Sequence, residues 1–534
     1  MELPTRNNPH DPLFLALLAG LGSVAAFLFY WRQDALLLYG DAVAHLNIAR
    51  RVVDSRTPGP FQLGSVWLPL PHLLMLPGVM SDWAWRTGFA GALVSMASYV
   101  AGTLGVFRLA RGFGSRAATW VGALVFAANP NLLYMQATAM TEPLYLALFV
   151  WATVHVAEFA ATARNDHPRP RSQARRSLER CGLLLAAAML TRYDAWFASA
   201  FFVPVALWSY ASRRRMYAGS PDPELRRSLR NFVLITAAAP LLWMAYNWGV
   251  FGNPLDFLTG PYSARAIAER TTPEGSPPHP GYHAPGVAAA YFLKAAKLNL
   301  GDDRWGDAML AVAVLGFLAA LFRGRGRSAL LLWLPLPFYV LSVAYASVPI
   351  FLPVWWPFSF YNVRYGLQLL PAVAVFLAVA TSFVLERRPR RRWLAVLAAA
   401  LLVGMSSISA WRAVPICLRE ARANSHARIA FERKLAAELE RLNGDAVLMM
   451  HVGSHGGALQ RASIPLRRVI HEGNYPDWRV ALNDPAAWAD FLVAVEGDAV
   501  EESAAKHAGD VEAVATVETP GQPRAVIFRT RRRP

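Results

Sequence analysis

Charge is what this sequence has least of. Only 17% of its 534 residues are Asp, Glu, Lys or Arg, and 55% are hydrophobic; an ordinary soluble domain carries roughly 25% charged residues. With a mean hydropathy of +0.27, the chain cannot cover a water-facing surface along its whole length, which excludes a purely soluble globular protein. Cysteine is nearly absent: Cys181 and Cys417 are the only two, too few for a disulfide framework. No internal repeat or low-complexity tract is visible, and no small-residue cleavage site follows the first apolar run. Acids and lysine are short as well. The 36 acidic residues face 53 basic ones, giving a net charge of +17, and the excess is almost all arginine. The Arg- and Ala-rich usage points to a GC-rich bacterium.

What is present is a series of apolar runs near the ~20 residues that a membrane-spanning helix needs. Leu13–Trp31, Thr87–Phe107, Phe232–Val250, Gly366–Leu385 and Trp393–Ala410 are the clearest. The first reads as a retained span, not a removed signal peptide. The arginines cluster in the gaps: Arg108, Arg111 and Arg116; Arg164 through Arg180; Arg213 through Arg230; Arg323, Arg325 and Arg327; Arg387 through Arg392. Basic gaps between apolar runs mark cytoplasmic loops, so the positive charge is a topology signal and not a nucleic-acid footprint. The fold expected is an α-helical polytopic membrane protein of about eleven spans, with the N-terminus cytoplasmic in a plasma (inner) membrane. The outward gaps are then Gln33–Val66, Asn129–Glu142, Thr191–Asp194, Gly252–Arg304 and Phe351–Val363. Cys181 falls at the inner face and Cys417 just outside, so they are not expected to pair.

Gly182–Tyr210 is too short for two full spans, yet basic clusters flank both its ends. The expected solution is a pair of short or tilted helices with Arg192, Tyr193 and Asp194 at their bend. Charges at that depth belong in protein or in a wet cavity, which makes them functional candidates. Residues 1–412 form the expected membrane body. Residues 413–534 form an expected small extracytoplasmic α/β domain: a helix over Glu420–Leu442, then strand-like runs at Ala446–Met450, Phe491–Val495 and Ala525–Phe528. Thr271–Gly286, rich in Pro and Gly, reads as a flexible outer loop.

The inward gaps hold arginine and little else, whereas the outward ones hold acids, aromatics, His and Asn, so the protein is expected to act on the outer face. Asp41 and His45 are four residues apart and share one face of a short amphipathic helix over Ala42–Val53. Asp41 reads as an N-cap or as a general base. His72, at the Pro-rich end of the same loop, reads as a packing residue or as a substrate contact. Thr141 is placed to N-cap the next run, with Glu142 and Pro143 in its first turn; Glu142 is equally a second site acid. Arg364 lies at an outer boundary beside Tyr365, where it either snorkels to a headgroup or clamps a phosphate. His451 and His455 would share a metal only on a helix, which the glycines around them argue against.

These residues, in this order, resemble the GT-C superfamily of integral-membrane glycosyltransferases, which includes the protein O-mannosyltransferases and the bacterial aminoarabinose transferases of lipid A. The resemblance rests on Asp41, Thr141-Glu142-Pro143, Thr191-Arg192-Tyr193-Asp194 and Arg364-Tyr365 before Pro371, across roughly residues 12–410. It implies a polyprenyl-phosphate sugar donor and a lipid, glycan or protein acceptor at a site among membrane lipids, with no nucleic acid. Asp41 matches the first-loop aspartate that acts as base or assists a metal, and Arg364 a position that holds the lipid phosphate, with Arg192 beside it. His45 and Glu142 would join Asp41 in catalysis, and Tyr193, Asp194, Tyr365 and His72 would contact substrate. No metal ligands are assigned, although a divalent metal is compatible with the resemblance. Many members carry an Asp-Glu pair where this chain has Asp41-Ala42. Two other classes fit the composition. A transporter or flippase would show repeats and charges inside spans in both halves, and a receptor or scaffold would act through its tail.

Overall fold

The structure is a computed structural model that describes residues 9–162, 171–216, 222–271, 275–302, 304–322, 327–346, 348–387, 390 and 392–531. Arg164, Arg169, Arg323, Arg325, Arg388 and Arg391 of the basic clusters lie outside the described residues, as do residues 272–274 of the Pro- and Gly-rich loop.

Nine described helices are long and apolar enough to cross a membrane, beginning with Asp11–Arg32, Phe89–Arg111 and Glu142–Ala161. The sequence alone suggests about eleven; two further apolar helices, Leu70–Val79 and Arg116–Ala127, are shorter than a crossing requires. The chain is a multi-pass membrane protein. Its centre is the Leu370–Arg387 helix, whose residues Leu370 through Val379 are all buried. Close packing there depends on small residues. A Cβ on Gly316 would collide with the Phe376 carbonyl, and one on Gly122 would press on Ala374.

The Gly182–Tyr210 segment does fold as two helices joined at Arg192. They are not short, however: they run Arg171–Met189 and Asp194–Met216. Both extend into the flanking basic clusters, because arginine stems can lie along apolar surface while their heads reach water. The gap after Gly252 is also more ordered than expected. Pro285–Leu300 forms a helix whose Tyr291, Phe292, Ala295, Ala296 and Asn299 are buried.

In the tail, Ile416–Leu439 is a helix. The sheet comprises β1 (Leu448–Met450), β2 (Val469–Ile470), β3 (Phe491–Val495), β4 (Val511–Val517) and β5 (Ala525–Thr530), in the order β2-β1-β3-β5-β4. β1 pairs parallel with β2 and β3, while β5 pairs antiparallel with β3 and β4. The glycines after β1 do not prevent a helix: Val452–Arg461 is helical, kinked at His455. Its first amide, from Val452, donates to Glu472, and its buried Ala458 and Leu459 supply the packing that offsets glycine's entropy.

The tail docks directly on segments of the membrane body between residues 37 and 57. Asp54 takes the backbone amides of Leu466 and Arg467 and pairs with Arg50. Asn474 donates to Ser55 and Thr57, and Arg428 to the carbonyls of Leu37 and Leu38.

Two tail histidines make this region acid-sensitive. His455 and His471 are buried, and burial pushes each down from 6.5 to about 4. In this range the unfolded chain takes up protons that the folded one refuses, so stability falls as pH drops from about 6.5 to 4. The slope is roughly 1.4 kcal/mol per pH unit for each histidine. Thermal unfolding of the full chain between pH 7 and 5 should show the loss. His471→Asn should reduce the slope by about half; an unchanged slope would contradict the assignment.

Candidate active site

The site is assembled at the ends of four segments distant in sequence. Asp41 lies in the first turn of Gly40–Val53. It is not an N-cap: Tyr39 occupies that position, and no side chain caps the helix. The Asp41 carboxylate turns instead to Arg364, accepting from Nη2 at 2.5 Å. Arg364 belongs to the short 3-10 helix Val363–Leu369, entered through Asn362 in a left-handed conformation. Glu142 opens the Glu142–Ala161 helix and is fully buried. Its Oε1 accepts from Arg192 Nη1 at 3.2 Å and from Arg364 Nε at 3.3 Å, so one carboxylate oxygen joins both arginines. Its Oε2 has no partner among the described residues. Thr141 occupies the N-cap position of this helix, with Glu142 and Pro143 in its first turn as expected, but its side chain makes no cap hydrogen bond; its hydroxyl accepts from Arg192 instead.

Arg192 sits at the turn between Arg171–Met189 and Asp194–Met216. It donates from Nε to both Asp194 oxygens, at 3.1 and 3.2 Å, and from Nη2 to the Tyr339 hydroxyl at 3.0 Å. Tyr339 donates in turn to Asp194 at 2.7 Å. The Tyr365 ring packs against both guanidinium groups, its centroid 5.2 Å from the Arg192 Cζ and 5.1 Å from the Arg364 Cζ. Tyr39 covers Arg364 from another side at 5.1 Å. A fourth acid, Glu420 from the tail, faces Arg364 Nη1 at 3.7 Å.

Asp41, Glu142, Arg192, Asp194, Arg364 and Tyr365, six of the residues expected from the sequence, therefore meet in one cluster. Two arginines stand among four carboxylates, and only Asp41 is substantially exposed: its side chain is 42% accessible, against 1% for Glu142 and 0% for Glu420. Asp41 is thus the acid of the cluster most open to solvent. The others hold the guanidinium groups in place at low dielectric, where charge interactions are strong.

Three expected residues lie outside this cluster. Tyr193 stands apart from the cluster: its hydroxyl donates to the Val66 carbonyl and accepts from Trp243, and its ring stacks on Phe257, so it braces the turn. His45 and His72 pair with each other, Nδ1 to Nε2 at 2.9 Å, and the His45 ring packs on Trp67. Burial pushes His45 down to about 4, so at neutral pH it is an uncharged neighbour one helical turn from Asp41. Glu420, Tyr39 and Tyr339 were not expected as site residues. Their hydrogen-bond partners lie between 56 and 381 positions away, and no local pattern marks them.

Among the described residues no three His, Cys, Asp or Glu side chains converge as a ligand set, and the acids of the cluster are directed at guanidinium groups. Cys181 and Cys417 are both free and buried.

No protein-family model and no curated protein matches the chain. Solved structures do. ArnT from Cupriavidus metallidurans, an aminoarabinose transferase, superposes with a TM-score of 0.56 at 13% identity, covering 95% of this chain and 97% of that one, both in its apo state and bound to undecaprenyl phosphate. The archaeal oligosaccharyltransferase AglB from Archaeoglobus fulgidus, in complex with an inhibitory peptide and a dolichol-phosphate, superposes with a TM-score of 0.51 at 13% identity, covering 96% of this chain and 74% of that one.

Proposed function

We propose that this chain, which has the GT-C fold of those membrane glycosyltransferases, transfers a sugar from a polyprenyl-phosphate donor to an acceptor on the extracytoplasmic face of the plasma membrane. The observation that carries the reading is the Arg192–Glu142–Arg364 bridge with Asp41 at its open side. Two fixed guanidinium groups beside an accessible carboxylate are what phosphate departure and acceptor deprotonation together require. The undecaprenyl phosphate bound to ArnT and the dolichol-phosphate bound to AglB support the same class of lipid.

The donor phosphate is held by Arg364, with Arg192 adding positive charge behind it. A hydroxyl or amine of a lipid, glycan or protein acceptor attacks the anomeric carbon. As that bond forms, the bond from the anomeric carbon to the phosphate oxygen breaks and its electron pair leaves with polyprenyl phosphate. Asp41 takes the acceptor's proton. Direct displacement inverts the anomeric carbon. Glu142 and Asp194 fix the arginines, Tyr365 packs against both, and neutral His45 borders the acceptor side. No step is assigned to a metal. In this reading the N-terminus is cytoplasmic, residues 1–412 are the catalytic body, and residues 413–534 lie outside the membrane.

Reconstitution in liposomes containing bacterial polyprenyl-phosphate sugars tests the reading. The expected result is time-dependent conversion of the donor to free polyprenyl phosphate when acceptor extract is present. Movement of intact donor across the bilayer with no cleavage would overturn it in favour of a flippase.

A further inference from the structure

We infer that Glu420 is a positioning residue that seats Arg364, so that the C-terminal region completes the site. The inference rests on the transferase reading above. Glu420 is fully buried and belongs to the Ile416–Leu439 helix of the tail. Its carboxylate accepts two consecutive backbone amides, Val363 N–H on Oε1 at 3.1 Å and Arg364 N–H on Oε2 at 3.2 Å. These are the first amides of the 3-10 helix that carries Arg364, and such amides have no partner within their own helix. A carboxylate there both satisfies them and complements the helix dipole. The same group faces the Arg364 guanidinium at 3.7 Å.

Glu420 also holds the other side of the site. The Tyr39 hydroxyl lies 2.9 Å from Glu420 Oε2 and 2.8 Å from the Cys417 carbonyl, so its proton is shared between two tail acceptors. Tyr39 is two residues before Asp41, and its ring covers Arg364. One buried carboxylate therefore fixes the backbone of Arg364 and the segment leading into Asp41, the two partners of the 2.5 Å pair. Glutamine cannot replace it. Its amide offers one acceptor oxygen, and its NH2 would face a backbone N–H.

The test uses full-length protein, Glu420→Gln, Glu420→Asp and Tyr39→Phe, with two readouts. Hydrogen exchange over residues 363–369 reads the seat with no lipid present. It should accelerate by at least about tenfold in Glu420→Gln, as the loss of a hydrogen bond to a charged group implies, and by less in Glu420→Asp. Undecaprenyl phosphate binding should weaken by about tenfold in Glu420→Gln and recover in part in Glu420→Asp. Tyr39→Phe removes one hydroxyl and keeps the carboxylate; it should shift both readouts in the same direction by several-fold, and it decides the matter if Glu420→Gln does not fold. Unchanged exchange at residues 363–369 overturns the inference. So does unchanged or tighter lipid binding, which would make Glu420 a bulk structural group or a simple counter-charge. If wild-type protein binds no polyprenyl phosphate, the transferase reading fails, and the exchange result still decides the role of Glu420.

Discussion

Asp41→Asn is expected to lower the transfer rate by about 10²–10⁴-fold, the usual contribution of a general base. The substitution keeps size and leaves an oxygen to accept from Arg364, but it cannot take the acceptor's proton. Polyprenyl-phosphate binding should be no weaker than in wild type, because one negative charge beside Arg364 is removed. Folding should be little affected. The Asp41 side chain is 42% exposed, and ion pairs open to solvent contribute only about 0–1 kcal/mol. The measurements are donor turnover, lipid titration and thermal unfolding of the same preparation. Wild-type turnover in Asp41→Asn would remove this residue from the chemistry.

Arg364→Ala should damage both catalysis and stability. Loss of a preorganised positive group facing developing charge costs about 10²–10³ in rate. In addition, Glu142 and Glu420, buried at 1% and 0% accessibility, would lose a cationic neighbour. Removing one partner of a buried ion pair typically costs about 3–5 kcal/mol, so the variant should unfold at a clearly lower temperature. Arg364→Lys separates the two effects. It restores a charge, and with it most of the stability, but a point ammonium cannot reach Asp41 and Glu142 at once through a planar fork. Its affinity for undecaprenyl phosphate should therefore stay well below wild type while its melting temperature recovers. Wild-type affinity in Arg364→Lys would mean that bidentate geometry is not what the site uses.

The contrast between these two residues follows from burial, and burial is what the sequence conveys least well. The membrane body and the tail were legible because long apolar runs and arginine-filled gaps are local signals. Asp41, Glu142, Arg192, Asp194 and Arg364 stood out for a related reason: a charge at the end of an apolar run is costly unless it finds a partner. Their convergence could not be read from any window. Glu420 meets Tyr39 across 381 positions and Tyr339 meets Asp194 across 145. Tyr339 looked like one more aromatic residue in an apolar run, and Glu420 like one more charge on an amphipathic helix.

Tyr193 is the converse case. It lies between two site residues in sequence, but at a tight turn neighbouring side chains diverge, and its hydroxyl is taken by Val66 and Trp243. In the tail, β1, β3 and β5 were visible as short apolar runs. β2 has only two residues, and β4 exposes most of its side chains, so neither carries a clear hydrophobic pattern. The His451–Gly457 stretch misleads because glycine lowers intrinsic helix propensity, whereas packing and the Glu472 contact decide the outcome.

The most direct test of the account is the lipid that travels with the protein. Native mass spectrometry of wild type and Arg364→Lys, purified in parallel from the same membranes, should show a polyprenyl phosphate or its glycosylated form on wild type and a marked loss of that species from the variant. Bulk phospholipid alone on both proteins, with added undecaprenyl phosphate failing to bind either, would contradict it.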